Sequence, residues 1–475
     1  MKKKIASVII NNLDIESGYP EAHSCDEVVQ KVADTDRLTQ ILNPPPIIGY
    51  WVSERCETRS GPEYVLRKQL YVENGTYIQI EHLYADEDCS RPLMSRQAKG
   101  KCGVRGKSLL TQGGSQVELA LEIASIILHS VKMVDILSHK ANSSCRDAIQ
   151  EKWLRNIEYT VYKREERNIS REVKPDELEM ELACMRSVGM DHEEVGFMRV
   201  QSRPPGPPER TAWRHELIVG ETRGKGTIFQ DPLVRVNQTA ECEICSKVYS
   251  STLGGPAVLR PRKALPLHLT GEWVSTRCEV RPMGLFLRRR FRVSGRSWHA
   301  EFRFFSDPTC VTPSLLAAAE GKYALAEKST GRVPGAVDFN FDLERAFLTL
   351  FEKGLVESLQ NDGNCGPPGV WQVGVARDLT PAGGCPALGI VVPTTEYELV
   401  RLEPDQYGNV LLLLGQSEER KVGLKERPTS FQPPLLQCAS PEFPLTHFLN
   451  SYNNGVTSHI RFPLIVAILL NLCLM

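Results

Sequence analysis

The sequence predicts a mostly β protein: two tandem homologous antiparallel β-barrel-like domains, each with a helix and each linked by disulfides. Three observations predict it. A nine-residue stretch occurs twice, WVSERCETR at 51–59 and WVSTRCEVR at 273–281, identical at seven positions that include Trp and Cys. The likeness continues in order: Cys89 answers Cys310, GGSQVELALEI answers PGAVDFNFDLE, Cys145 answers Cys365, Cys184 answers Cys385, and Thr-x-Phe-Gln-x-Pro-Leu occurs at 227–233 and 429–435. Within each copy apolar residues alternate with polar ones at period two, the mark of half-buried strands. A chain of 475 residues has room for two domains of ordinary size.

In chain order, residues 1–46 form an N-terminal segment with a signal-like start. Lys2 to Lys4 precede the run IASVII, which ends at Asn11 and is shorter than the roughly 7–15 apolar residues of an export core. Residues 21–43 read as a helix through Val28, Val29, Val32, Leu38 and Ile41, stopped by Asn43-Pro-Pro-Pro, with Cys25 tying it to the first domain. The first repeat spans 47–253, a Pro-rich linker 254–268, the second repeat 269–440, and a stalk with an apolar tail 441–475. Each repeat opens on the Trp-Val-Ser strand and continues into a hairpin that turns at Asn74-Gly75 or Ser294-Gly295. A cleanly alternating strand follows, Val117 to Ile123 in one copy and Val337 to Leu343 in the other, each leading into a helix, Ala346 to Leu359 in the second. Further strands are expected at Trp371–Val375, Leu388–Val392, Tyr397–Leu402 and Val410–Leu414. About eight strands and one helix per copy match a closed barrel; alternation alone leaves a sandwich open. Copy one carries 19 extra residues between its third and fourth matched cysteines, rich in charge and read as a solvated helix or loop.

Fourteen cysteines sort by position. Five recur in matched places, 56, 89, 145, 184 and 242 against 278, 310, 365, 385 and 438, which suits bridges in an oxidising compartment better than clustered metal ligands. Cys25 and Cys245 bring the set to twelve; Cys102 and Cys473 are left over. The pairing expected is Cys56 with Cys89, Cys145 with Cys184, Cys278 with Cys310 and Cys365 with Cys385, although spacing does not fix connectivity. Cys242-Glu-Ile-Cys245 is read as supplying two separate bridges. Sequons at Asn74, Asn142, Asn168 and Asn237 are candidate N-glycosylation sites and point to the same export route. The tail FPLIVAILLNLCLM has fourteen residues, short of the roughly 17–25 a spanning helix needs. It resembles a lipid-anchor signal or a truncated span, and either holds the protein to a membrane on the outer face.

Chemistry is sparse. A formal net charge of −1 gives no pull towards nucleic acid. GKCGVRGKS at 100–108 places five residues, not four, between Gly100 and Gly106, so Lys107 and Ser108 are strand residues and not phosphate ligands. His192-Glu193-Glu194 lacks the second His of a zinc-protease helix, and no Gly-x-Ser-x-Gly elbow occurs. The Arg288-Arg289-Arg290 run reads as a solvated strand face. No enzyme, cofactor or metal is expected.

The repeated WVSxRCExR, with CGPPGVWQVGVARDLTPAGGCPALGI at 365–390, TTEYELVRLE and TSFQPPLLQC, resembles the adenomatosis polyposis coli down-regulated family over about residues 47–440. The resemblance implies a membrane-anchored, N-glycosylated cell-surface antagonist of Wnt signalling. It also implies two closely apposed barrel-like domains and a large apolar pocket for the lipid that Wnt carries. Its partners would be the acyl chain of a Wnt ligand and, second, a Wnt co-receptor. An acyl chain suits such a scaffold, since each buried methylene contributes about 0.8 kcal/mol. The candidate liners are Val337, Phe339, Phe341, Leu343, Trp298, Phe302 and Phe304, with Val117, Leu119, Leu121 and Ile123 in the first copy; each would equally serve as core. One of the two barrels, or the seam between them, is expected to be hollow. A carrier of small apolar ligands and an adhesion module are the alternatives.

Overall fold

The long alternating stretches pair antiparallel in sequence order, and in each repeat the last strand returns to the first, so each set closes on itself. The computed structural model describes residues 25–108, 111–141, 144–145, 152–164, 182–190, 195–207, 212–223, 226–238, 242–262, 265–281, 285–327, 331–362, 365–366, 369–416 and 427–438. The signal-like start, the apolar tail, Asn142, Asn168, Cys473 and nearly all of the charge-rich insertion lie outside the described residues.

The first repeat supplies β1 (Gly49–Val52), β2 (Glu63–Tyr71), β3 (Thr76–Tyr84), β4 (Pro92–Lys107), β5 (Ser115–Leu128), β6 (Val195–Arg203), β7 (Arg214–Arg223) and β8 (Leu233–Arg235). Each pairs antiparallel with the next, and β8 returns to β1. The second repeat does the same with β9 (Gly271–Ser275), β10 (Phe286–Ser294), β11 (Ser297–Phe305), β12 (Pro313–Leu325), β13 (Val337–Leu350), β14 (Thr394–Pro404), β15 (Val410–Leu414) and β16 (Leu435–Gln437). Its ring closes through β16 and β9. These are two eight-stranded up-and-down barrels; closure satisfies both edges of each sheet, which a sandwich would leave open.

Helices that accompany them among the described residues include α1 (Cys25–Leu38), α2 (Val131–Lys140), α3 (Glu243–Ser250) and α4 (Lys353–Asp362). Among the described residues no helix is long and apolar enough to cross a membrane. Helices α2 and α4 hold equivalent places, after β5 and β13. Ser130 caps α2, accepting the Met133 N–H at 3.1 Å.

The duplication extends to backbone detail. Trp51 and Trp273 are both fully buried, and each indole N–H donates to the carbonyl four residues back, Ile47 at 2.6 Å and Leu269 at 2.9 Å. Cys89 and Cys310 share a left-handed φ of 52°. Gly100 and Gly321 sit at matching β-bulges, where an added Cβ would lie 2.0 Å from the Ala120 carbonyl oxygen and 1.6 Å from that of Asp342. Only glycine allows so close a strand approach.

Several expectations are corrected. Residues 346–350 are not helical but continue β13, with Ala346 opposite Ala319 and Leu350 opposite Leu315. The bulge at Glu320/Gly321 shifts the alternation, so the core residues run Leu343, Ala346, Leu348 and Leu350, a spacing that imitates a helix. The same device in β5 puts Ile123 out of step with Leu121, Ala124, Ile126 and Leu128. Trp371–Val375 forms no strand and contributes one bridge, Val373 to Leu350. The stretch 388–392 yields only the two-residue strand Ile390–Val391, between Gly389 and the Val392-Pro393 bond. Arg289 is not on the solvated face: it is 4 % exposed and bonded to Glu279. Cys242 bonds to Cys245, not to a distant partner, because a Cys-x-x-Cys at a helix start brings the two sulfurs within one turn.

Helix α1 precedes the first barrel yet packs on the second. Val28 and Val32 pack with Val274, Leu411 and Leu436, and Cys25 joins that cluster rather than the first domain. After α1 the chain returns to the first barrel, where residues 40–42 pair with β6.

Candidate functional site

The site is built from the repeated motif itself. In each copy the serine after Trp-Val ends the strand by a hydrogen-bond latch. Ser53 Oγ donates to Glu57 Oε1 at 2.7 Å and accepts the Arg67 N–H at 2.8 Å. Ser275 repeats this with Glu279 at 2.7 Å and Arg289 at 2.7 Å. The glutamate is then held by the arginine guanidinium, 2.9 Å for Arg67 to Glu57 and 2.9 Å for Arg289 to Glu279. This buried charge-assisted pair turns the rest of the motif, Arg-Cys and the second Arg, out of the barrel. Disulfides Cys56–Cys89 and Cys278–Cys310 pin the turned segment to the loop after β3 or β11. The structure also joins Cys145 to Cys184 and Cys365 to Cys385.

The two turned segments, 54–60 and 276–281, line one cleft of about 660 Å³ at the seam between the barrels. Its apolar lining includes Ile218, Ile244, Leu259, Val280, Leu411 and Phe431, with Pro232, Pro404, Pro433 and Pro434 beside them. Its charged lining is held in pairs that cross the seam. Arg55 of the first motif donates to Asp231 at 2.7 Å and to Glu403 of the second barrel at 3.2 Å. Arg277 of the second motif donates to Glu216 of the first barrel at 2.8 Å. Arg262 in the linker reaches Asp88 at 3.1 Å and Glu403 at 3.4 Å. Each motif arginine thus reaches an acid of the opposite barrel, and Arg199 of the first barrel also lies over the Phe286 ring of the second at 5.7 Å.

Burial and pairing set the charges here. Burial opposes the ionisation of Glu216, but Arg277, Arg214 and Arg203 outweigh it and hold the carboxyl well below the usual range. Glu403 is lowered in the same way, burial being overcome by Arg262, Arg401 and Arg55. Burial lowers Arg281 to about 10, a fall that Glu279 opposes and neighbouring Arg289 reinforces. Apolar wall and fixed charges together make a cleft of the size that takes one small ligand or a modified side chain.

The eleven expected liners lie elsewhere. Trp298, Phe304, Phe339, Phe341 and Leu343 pack inside the second barrel, with Phe302 and Val337 against them. Ring centroids there are 5.5 Å apart for Phe291–Phe341 and 5.9 Å for Trp298–Phe341, the spacing of a filled aromatic core. In the first barrel Val117 and Leu119 belong to one cluster, Leu121 to another, and Ile123 to neither. None of the eleven lines the cleft. Asn74 is exposed at its hairpin turn, where its side-chain oxygen accepts the Thr76 N–H at 2.9 Å, and Asn237 is exposed in a short 3-10 turn.

Sequence reasoning passed over Arg55, Glu57, Arg277 and Glu279 as site residues, although the repeated RCE was their signal. Glu216 and Glu403 carried none. In comparison with known proteins, the family model described as adenomatosis polyposis coli down-regulated 1 matches residues 24–260 and again 261–443.

Proposed function

Because the chain belongs to the adenomatosis polyposis coli down-regulated 1 family, we propose that it restrains Wnt signalling at the outer face of the cell membrane by binding a lipidated Wnt ligand. The observation that carries this reading is the seam cleft of about 660 Å³ walled by both copies of the motif. Ile218, Ile244, Val280 and Phe431 offer an acyl chain an apolar wall, and the paired charges around them offer the adjoining peptide hydrogen-bonding groups. Each methylene that leaves water contributes about 0.8 kcal/mol, so a few buried on this wall suffice to make binding depend on the lipid. Five disulfides suit an oxidising compartment, and Asn74 and Asn237, both exposed, are the proposed glycan acceptors. A Wnt co-receptor is the second proposed partner, and the C-terminal tail the proposed membrane attachment.

The test compares binding of an acylated Wnt with the same Wnt lacking its acylated serine, using wild-type protein and a cleft-filling Val280→Trp variant. Binding that needs both the acyl group and an open cleft supports the proposal. Equal binding of both Wnt forms overturns it, and direct binding of free fatty acid without any Wnt binding would favour the carrier instead.

A further inference from the structure

Cys25 and Cys438 stand at the two ends of the described chain, and both are outside the five disulfides. The fold brings them together. Cys25 opens α1, while Cys438 follows β16 with its backbone N–H on the Glu272 carbonyl at 2.9 Å. Cys438 belongs to the cluster in which Val28 and Val32 meet Val274 and Leu436, Cys25 packs against that cluster, and the Cys25 side chain is the neighbour that most perturbs the Cys438 thiol. Ion pairs hold the helix in register over the barrel wall: Asp26 to Arg290 at 2.8 Å near its start, and Asp36 to Arg288 at 2.8 Å near its end.

The internal duplication supplies an independent argument. In the first repeat Cys242 follows β8, the counterpart of β16, and bonds Cys245 in the first turn of α3, which packs beside β1 and β2. The second repeat keeps the cysteine after its last strand, Cys438. The helix that lies against β9, the counterpart of β1, is α1, delivered from the other end of the chain with Cys25 at its first position.

We propose that Cys25 and Cys438 form a sixth disulfide, which joins the N-terminal helix to the last strand and closes both barrels into one covalent ring. Each thiol gives up its proton and the pair gives up two electrons; the acceptor is the disulfide of a dithiol oxidoreductase of the secretory route, which leaves as a dithiol. Left as a thiol, Cys438 is a poor nucleophile, since contact with Cys25 first and burial second push it far up. Since residues 40–42 pair with β6 of the first barrel, the bridge clamps the two barrels across the seam.

The test is a non-reducing peptide map of the full secreted chain after alkylation of its free thiols in denaturant. The expected result is one linked pair of peptides carrying Cys25 and Cys438, lighter by two hydrogens than the separate peptides, with Cys102 alkylated. Alkylation of both Cys25 and Cys438, or a link from either to another cysteine, overturns the proposal. In a Cys25→Ser variant Cys438 becomes newly alkylated; a Cys438 that stays blocked there also overturns it. Should that variant fail to be secreted, the wild-type map decides alone.

Discussion

Replacing Glu216 by glutamine is the most informative perturbation of the seam. The carboxylate is fully buried and serves three donors: Arg277 at 2.8 Å, Gln201 at 2.8 Å, and Arg214. Arg277 and Arg214 are themselves largely buried, with side chains 15 % and 9 % exposed, so water does not replace what they lose. Removing one partner of a buried charged set costs about 3–5 kcal/mol, because the remaining charges stay desolvated. Glu216→Gln is therefore expected to lower unfolding stability by at least about 3 kcal/mol at pH 7. Urea denaturation reads this as a fall in midpoint. Adding Arg277→Met to Glu216→Gln should return about 1 kcal/mol or more, as neighbours in one network couple. The pH dependence has a definite sign. The folded carboxyl lies below its ordinary 4.5, so its contribution is fully present above that value and is lost as the pH falls towards the folded value. Wild type and variant should thus converge in acid. A loss smaller than about 1 kcal/mol at neutral pH would refute the view that this carboxylate holds the seam.

Phe341→Ala should cost about 3–5 kcal/mol in denaturant while leaving lipid-dependent binding intact, since Phe341 fills a core; loss of binding in a still folded variant would return it to the liners. Gly321→Ala should cost about 3 kcal/mol or prevent secretion, because its Cβ would meet the Asp342 carbonyl oxygen at 1.6 Å; normal thermal stability would contradict the bulge argument. His82 is fully buried: Ser251 Oγ donates to the Val248 carbonyl at 2.7 Å, so it accepts from His82 Nε2 at 2.9 Å, and Ser95 donates to Nδ1 at 2.7 Å. Burial first, with His129 beside it, pushes this imidazole down to about 3. The unfolded chain binds the proton first, so stability should drop by about 2 kcal/mol between pH 6.5 and 5, and His82→Gln should remove that slope. A wild-type stability that is flat over this range would rule the assignment out.

The sequence by itself carried whatever depends on repetition and local period. WVSxRCExR, appearing twice, declared the duplication; strict alternation in stretches such as Val337 to Leu343 marked strands; and Asn74-Gly75 and Ser294-Gly295 marked the hairpins. Where one residue of offset entered, the local signal failed. The bulges opposite Gly100 and Gly321 flipped the parity of β5 and β13, made Ala346 to Leu350 look helical and put Ile123 out of step. Tertiary structure alone decided that Arg289 faces inward, since its partner Glu279 is presented by the turn of a different segment. The candidate site was legible as a repeated motif but not as a site. Its cleft exists only because two copies of one loop meet across a seam, and the acids that complete it, Glu216 and Glu403, each come from the opposite barrel. Cys25 was assigned to the domain nearest in sequence, whereas α1 packs on the far barrel, where Val274, Leu411 and Leu436 offer its apolar side a surface. Period and repetition are written along the chain, but the contacts that enclose a cleft are made between segments hundreds of residues apart, and no local pattern encodes which of them will meet.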